Sequence, residues 1–312
     1  MSSSLYRPLA SKDLLSIGAL APAEIEALFA TAGSVKREPT LHSRALEDTS
    51  VVLIFEKPSL RTRVSFEVGV HRLGGQAIYF DASGERIGAR ETVKDYAKNL
   101  ERWVHAIVAR TYSHAALEGL AHHARVPVIC ALSDDHHPCQ ALADLFTLRE
   151  HFGTLRGVRL CYVGDGNNVC HSLIQCATKL GVDTTVVGPE KYWPREDIVE
   201  ACKLFARRSG GSLRLSTDLS ALKGQDAVYT DAWVSMHHSA EGAARVAALS
   251  HYQVNQALMD RASAHAVFMH CLPAHRGEEV TDDVIDSPES LVYQQAENRL
   301  HAQKAVLLHP VA

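Results

Sequence analysis

No apolar run in this sequence approaches the ~20 residues needed to cross a bilayer, so a membrane-spanning protein is not expected. Charge of one sign is scarce too. The formal net charge is only -4 and no Lys/Arg-rich block interrupts the balance, which argues against nonspecific affinity for nucleic acid. Seven cysteines make an odd number, and none forms a Cys-x-x-Cys pair, so neither a disulfide framework nor a zinc ribbon is indicated. Most of them, Cys130 and Cys161 for example, lie among apolar neighbours as small buried hydrophobes. The opening residues lack a basic segment followed by an apolar one, which makes a soluble, cytoplasmic protein the expectation. Repeats and low-complexity tracts are lacking as well. Aromatic residues are few, 6% against 46% apolar overall, and 312 residues suffice for two ordinary α/β domains, each with its own core.

What is present is alternation. β-rich runs near 50-55, 76-81, 105-110 and 126-132 alternate with helical patterns near 61-73, 91-103 and 114-124. That order predicts parallel strands joined by crossover helices. After a long helix at 138-152, closed by Gly153, the rhythm restarts with strands near 158-164, 184-188, 213-216, 227-231 and 266-271. The expected fold class is therefore α/β, with two doubly wound parallel-sheet domains, residues 1-152 and 153-312. The last helix, about 289-308, is expected to pack back on the first domain.

Five segments carry chemistry. In Phe55-Glu-Lys-Pro-Ser-Leu-Arg-Thr-Arg63 an apolar strand turns into a helix, placing Ser59, Arg61 and Thr62 at a helix N-terminus. Free N–H groups and the positive dipole end favour an anion there, and a guanidinium fork and hydroxyls add charge-assisted bonds. Val64, Val68 and Leu73 recur at near-helical spacing behind it. In Ser133-Asp-Asp-His-His-Pro-Cys-Gln140 a strand ends and Pro138 opens a helix, presenting His137 and Gln140 where ligands bind in doubly wound sheets. His136, His137 and Cys139 are too close in sequence for all three to point at one ion, so no metal site is expected.

In Tyr162-Val-Gly-Asp-Gly-Asn-Asn-Val169 the turn looks like a dinucleotide fingerprint, but Val169 stands where its last glycine should be. Asn167 or Asn168 could orient a carboxylate there, or simply cap the helix. Tyr229-Thr-Asp-Ala-Trp-Val-Ser-Met236 ends a strand in an acid able to bind an amine. Finally, Phe268-Met-His-Cys-Leu-Pro-Ala-His-Arg276 places Cys271 at a strand end, before a proline that cannot continue a central strand. That thiol is either a site residue or a packed one.

Ser59-Leu-Arg-Thr-Arg63, Ala109-Arg-Thr111, His137-Pro-Cys-Gln140, Asp231-Ala-Trp-Val-Ser-Met236 and His270-Cys-Leu-Pro273 together resemble the carbamoyltransferase family, and within it the ornithine branch. The resemblance covers nearly the whole chain. It implies a carbamoyl phosphate site of Ser59, Leu60, Arg61, Thr62, Arg110, His137, Gln140, Cys271, Leu272 and Arg299. It implies an ornithine site of Asn168, Asp231, Ser235 and Met236. It also implies transfer of a carbamoyl group to the side-chain amine of L-ornithine, in arginine metabolism, with no metal or nucleotide cofactor and no nucleic-acid or membrane partner. A homotrimer with sites near subunit borders is implied too.

The amine must lose a proton, since a pKa of about 10.4 leaves roughly one molecule in 10³ to 10⁴ neutral at pH 7. Asp231 and Cys271 are the candidates to help, with arginines expected to favour the thiolate. Arg61, Arg110 and His137 would stabilise the developing negative charge.

Three positions depart from the family pattern. Leu60 replaces a threonine, and its backbone N–H can still serve. Arg86 stands where a glutamine often reaches a neighbouring subunit's carbamoyl phosphate site. His237-His238 follow Met236 where a glycine is usual, which bears on loop closure over ornithine. A carbamoyltransferase for a modified ornithine and a noncatalytic carbamoyl-phosphate-binding protein are the alternatives.

Overall fold

The computed structural model describes Tyr6, residues 9-234 and residues 242-311. The chain forms two compact units, Met1–Ala143 with Glu297–Ala312, and Asp144–Ala296.

Helix α1 (Pro22–Arg37) opens the first unit and buries Ile25, Leu28, Phe29, Ala32 and Val35, the spacing of one helical face. The sheet follows: β1 (Ser50–Phe55), β2 (Gln76–Asp81), β3 (Ala106–Arg110) and β4 (Val128–Leu132), all parallel, in the order β2-β1-β3-β4. Crossovers run through α2 (Leu60–Arg72), α3 (Val93–Leu100) and α4 (His114–His123). Val51 to Phe55 are consecutively buried because a central parallel strand is covered on both faces. Strand β4 would be an open edge. Leu14 closes it, donating its N–H to the Val128 carbonyl and accepting from Cys130.

The phase of α2 differs from expectation. Its buried face is Thr62, Phe66, Gly69 and Val70, continued by Leu73, whereas Val64 is 45% exposed and Val68 half-buried. The reason is a distant partner. A Cβ on Gly69 would lie 3.4 Å from Lys304 and 3.6 Å from Leu300. Those residues belong to the last helix, so packing there, not the valines, sets the rotation. The expected return of the C-terminal helix to the first unit is thereby borne out.

Helix α5 (Pro138–Phe152) carries the chain into the second unit, and the division between units falls inside it, ahead of the expected 152/153 boundary. Strands β5 (Arg159–Val163), β6 (Asp183–Val187), β7 (Ser212–Ser216), β8 (Ala227–Thr230) and β9 (Val267–His270) form a parallel sheet in the order β7-β6-β5-β8-β9. Helix α6 (Asn168–Lys179), buried along its whole length, and α7 (Glu196–Ser209) are the first crossovers. They are followed by α8 (Gly242–Leu249), α9 (Gln256–Met259) and α10 (Asp282–Ile285). The core beneath is largely aliphatic, with Tyr192, Trp233, Tyr252 and Phe268 as its aromatic members. The final helix is α11 (Val292–Val311).

Each sheet reverses its strand order once, between β1 and β3 in the first unit and between β5 and β8 in the second. Outside the carboxyl ends of strands at such a reversal lies the crevice where doubly wound sheets bind ligands.

Candidate active site

In the first unit, the segments leaving β1, β3 and β4 supply the side chains. Ser59 is the N-cap of α2 in extended conformation, yet its hydroxyl makes no capping bond. The helix therefore begins with amide donors and Arg61 at its first turn, a local charge pattern that favours an anion. At the end of β3 the register with β4 slips between Ala109 and Arg110, so that Arg110 pairs with Leu132. A bulge of this kind re-aims the side chains at a strand end. Gln140 lies in the first turn of α5, behind His137.

Arg299 of α11 ties these pieces together. Its Nη1 donates to Gln140 Oε1 at 2.8 Å and its Nη2 to Thr62 Oγ1 at 2.7 Å. These two bonds orient the guanidinium without neutralising it. All three residues are buried, as are Arg110 and His137. Burial pushes His137 well below its ordinary value, and the charges of Arg299 and Arg110 push the same way. His137 is consequently a neutral imidazole, able to donate to a developing oxyanion without giving up its proton.

Two expected members stand apart. The Leu60 side chain is 73% exposed, which leaves its backbone N–H as the group at the helix start. Arg86 lies exposed on the loop after β2, its guanidinium stacked 4.6 Å from the Tyr112 ring centroid. The same ring receives Lys57 Nζ at 4.0 Å. Lys57, which sequence reasoning passed over, is buried, and this burial, with Arg110 nearby, lowers its pKa to about 8. Glu56 beside it accepts from the Ile87 N–H at 2.7 Å and from the Tyr112 N–H at 2.6 Å, fixing both loops. A Glu-Lys pair ending an apolar strand was the available signal.

In the second unit the site is built on β5, β8 and β9. Gly164 turns the chain at φ +125°, and Gly166 passes so close to the 193-194 segment that a Cβ would sit 2.3 Å from Pro194 N. Asn167 then does two things at once. Its Oδ1 caps α6 by accepting from the Val169 and Cys170 N–H groups, while its Nδ2 donates to Asp231 Oδ2 at 2.7 Å. The turn thus caps a helix and, through Asn167, also orients a carboxylate of the protein itself, Asp231. Asn168 is buried at the first position of α6, its Oδ1 accepting from Val169 at 3.0 Å.

Strand β8 stops at Thr230 and β9 at His270, which frees Asp231 and Cys271 just past the sheet. The Cys271 thiol donates to Asp231 Oδ1 at 2.9 Å, and the Ala232 N–H donates to the same oxygen at 2.8 Å. Arginine neighbours are expected to favour a thiolate; within its own unit this sulfur meets the Asp231 carboxylate. Leu272 sits at φ +57°, uncommon for a side chain branched at Cγ. Its N–H donates to His270 Nδ1 at 2.8 Å, which leaves the proton on Nε2 to reach Glu279 Oε1 at 3.2 Å. His270 and Glu279 are fully buried and fix the turn that carries Cys271; neither was singled out from sequence.

Near this turn Asp165 pairs with Arg245 of α8 at 2.6 Å, yet burial outweighs the ion pair and pushes its carboxyl up to about 6. Ser235, Met236, His237 and His238 lie outside the described residues.

Comparison with known proteins extends this geometry. The family model described as the carbamoyl-P binding domain of aspartate/ornithine carbamoyltransferase matches residues 12-150, and its Asp/Orn binding domain matches residues 156-309. An ornithine carbamoyltransferase of Shewanella oneidensis is 51% identical over 95% of this chain and 98% of its own length. One of Pyrococcus furiosus, named anabolic, is 50% identical over 96% of each. The solved Pyrococcus furiosus ornithine carbamoyltransferase superposes with a TM-score of 0.92 at 50% identity, covering 96% of this chain and 97% of that one. With both halves matched in order and across nearly their full length, the chain belongs to the aspartate/ornithine carbamoyltransferase family.

Proposed function

We infer that this protein transfers the carbamoyl group of carbamoyl phosphate to the side-chain amine of L-ornithine, giving L-citrulline and phosphate. The observation that carries the choice of an amine as acceptor is Asp231. It is a buried carboxylate just past β8, held in place by Asn167 and by Cys271.

The first unit, with the returning end of α11, is the carbamoyl-phosphate-binding domain, and the second is the ornithine-binding domain. The phosphate lies at the start of α2, on the backbone N–H groups from Leu60, the Ser59 and Thr62 hydroxyls and the Arg61 guanidinium. Arg299 and Gln140 complete its cradle, and Arg86 contributes to the phosphate side. Arg110 and neutral His137 take the carbamoyl oxygen, where negative charge grows as the carbonyl carbon becomes tetrahedral. Donors fixed in advance stabilise that charge more than they do the ground state. The ornithine amine is bound by Asp231, with Asn168, Ser235 and Met236 around the rest of the amino acid and Cys271 and Leu272 beside the reacting carbon.

As the tetrahedral carbon collapses, the C–O bond to phosphate breaks and the departing phosphate is held by the same arginines. One amine proton is lost before attack and a second after it. The Asp231–Cys271 pair is the first relay, and the leaving phosphate can accept the later proton. No step calls on a metal or a nucleotide.

The anabolic name of the Pyrococcus furiosus relative supports a place in arginine biosynthesis. A cytoplasmic homotrimer completes the proposal. Leu60, Val64, Ile78 and Phe80 of the first unit are exposed, as an interface would require, and no helix among the described residues is long and apolar enough to cross a membrane.

The test is citrulline formation from carbamoyl phosphate with L-ornithine, N-acetylornithine, N-succinylornithine, putrescine and aspartate offered separately. Turnover with L-ornithine alone is the expected outcome; preference for another amine moves the substrate, and binding without turnover removes the catalytic role. Light scattering on the eluted protein checks the trimer.

A further inference from the structure

Past the Cys271 turn, His275, Glu278 and Glu279 form a second cluster that the proposed reaction does not use. Their ligand atoms all lie within 4.8 Å of one another. Glu279 is fully buried, and its two oxygens are treated differently. Oε1 accepts from His270 Nε2 and, at 2.6 Å, from the His275 N–H, whereas Oε2 has no hydrogen-bond partner among the described residues. A buried carboxylate oxygen left without a donor is costly.

His275 Nδ1 lies 3.7 Å from this oxygen and is half exposed. That is too long for a hydrogen bond. It is close to the roughly 3.4 Å separating two ligands on a tetrahedral ion with bonds of about 2.1 Å. The adjacent Arg276 does not neutralise the cluster, because its guanidinium donates to Asp282 and Asp286 at 2.6 to 2.8 Å. Gln253 Nε2 pins the turn through the Gly277 and Glu278 carbonyls.

We propose that His275, Glu278 and Glu279 bind a divalent cation, with the nitrogen-and-carboxylate donor set and the separation suited to Zn²⁺. Water completes the coordination on the exposed side. The ion supplies the positive partner that Glu279 Oε2 lacks. Because Oε1 of the same carboxylate holds His270, occupancy stiffens the turn bearing Cys271. The site is independent of the substrate assignment above.

A second donor set, Asp231, His270 and Cys271, lies in the proposed active site and would compete for the ion. The experiment therefore uses the full-length Cys271→Ser protein, titrated calorimetrically with Zn²⁺. One ion per chain is expected. Adding His275→Ala or Glu278→Gln, both at exposed side chains, should weaken binding at least about tenfold, the scale on which even outer-shell changes act at metal sites. Unchanged affinity in either double variant, or no Zn²⁺ uptake by Cys271→Ser protein, overturns the proposal.

Discussion

The two units solve the same topological problem with opposite chemistry. Both place their functional side chains outside the carboxyl ends of strands flanking a reversal in strand order. The first gathers guanidiniums around neutral oxygens, as Arg299 does with Thr62 and Gln140. The second gathers neutral donors around a carboxylate, as Asn167 and Cys271 do with Asp231. In each case the charged group is oriented by bonds that leave its charge in place. One unit is thereby prepared for an anion and the other for a cation, and the scaffold itself decides neither.

If that division holds, a change in one unit should impair its own substrate and spare the other. The largest effect is expected for Asp231→Asn. Losing the charge at the centre of its cluster should lower kcat/KM for ornithine by about 10³-fold or more, with carbamoyl phosphate affinity by calorimetry unchanged. A comparable loss of carbamoyl phosphate binding would break the comparison. Next comes Arg299→Lys, which keeps the charge and removes the fork. An about 10²-fold loss is expected, appearing mainly in the KM for carbamoyl phosphate, as initial-rate kinetics varying each substrate would show.

Asn167 sharpens the comparison, because capping and orienting can be separated there. Asn167→Ser retains a capping oxygen but lacks the amide donor, so ornithine kinetics should fall about tenfold while urea unfolding stays close to that of the parent. Asn167→Ala should show the same kinetic loss and a further destabilisation of about 1 kcal/mol from the missing cap. Equal kinetics in parent and serine variant would show that Asp231 does not need this bond.

The smallest effect concerns pH. His137 has a native pKa below its ordinary 6.5. Between those two values the unfolded chain binds more protons than the folded one, so stability rises with pH across that interval. It is therefore lost as pH falls below 6.5. Thermal unfolding followed from pH 7.5 down to 5 should show the decline, and His137→Gln should flatten it. An identical slope in the variant would mean that the imidazole is not held neutral.

Much of this was legible in the residues. Parallel strands covered on both faces read as short aliphatic runs, and β1, β3 and β4 fell close to where Val, Ile, Leu and Ala cluster. The strand-to-helix junctions were legible too, because Ser59, Pro138 and the Asn167-Asn168 pair are local signals at helix starts. Helix α1 was not among the expected elements, although its apolar residues recur at helical spacing, since no strand precedes it to set the alternation.

The rest depended on partners far away in sequence. The rotation of α2 follows from Leu300 and Lys304. The orienting role of Asn167 follows from an acid 64 positions on. The roles of His270 and Glu279 follow from one buried hydrogen-bond chain around Leu272. Spacing identifies which residue types reach a strand end; which atom faces which is set by contacts that spacing does not encode.

One small feature has reach beyond the site. The segment that seals β4 is short: Leu14 supplies its backbone, Asp13 Oδ1 takes the Val128 N–H at 2.8 Å, and Lys12 is anchored to the Ala121 carbonyl. A truncation that removed residues up to 14 would take out the fully buried Leu14 and the buried Tyr6. It would also uncover an aliphatic edge strand with unsatisfied amides, a template on which a second chain could add a strand. Shortening this protein from the front is thus a question of self-association as well as of folding, and a soluble form should keep Lys12 to Leu14.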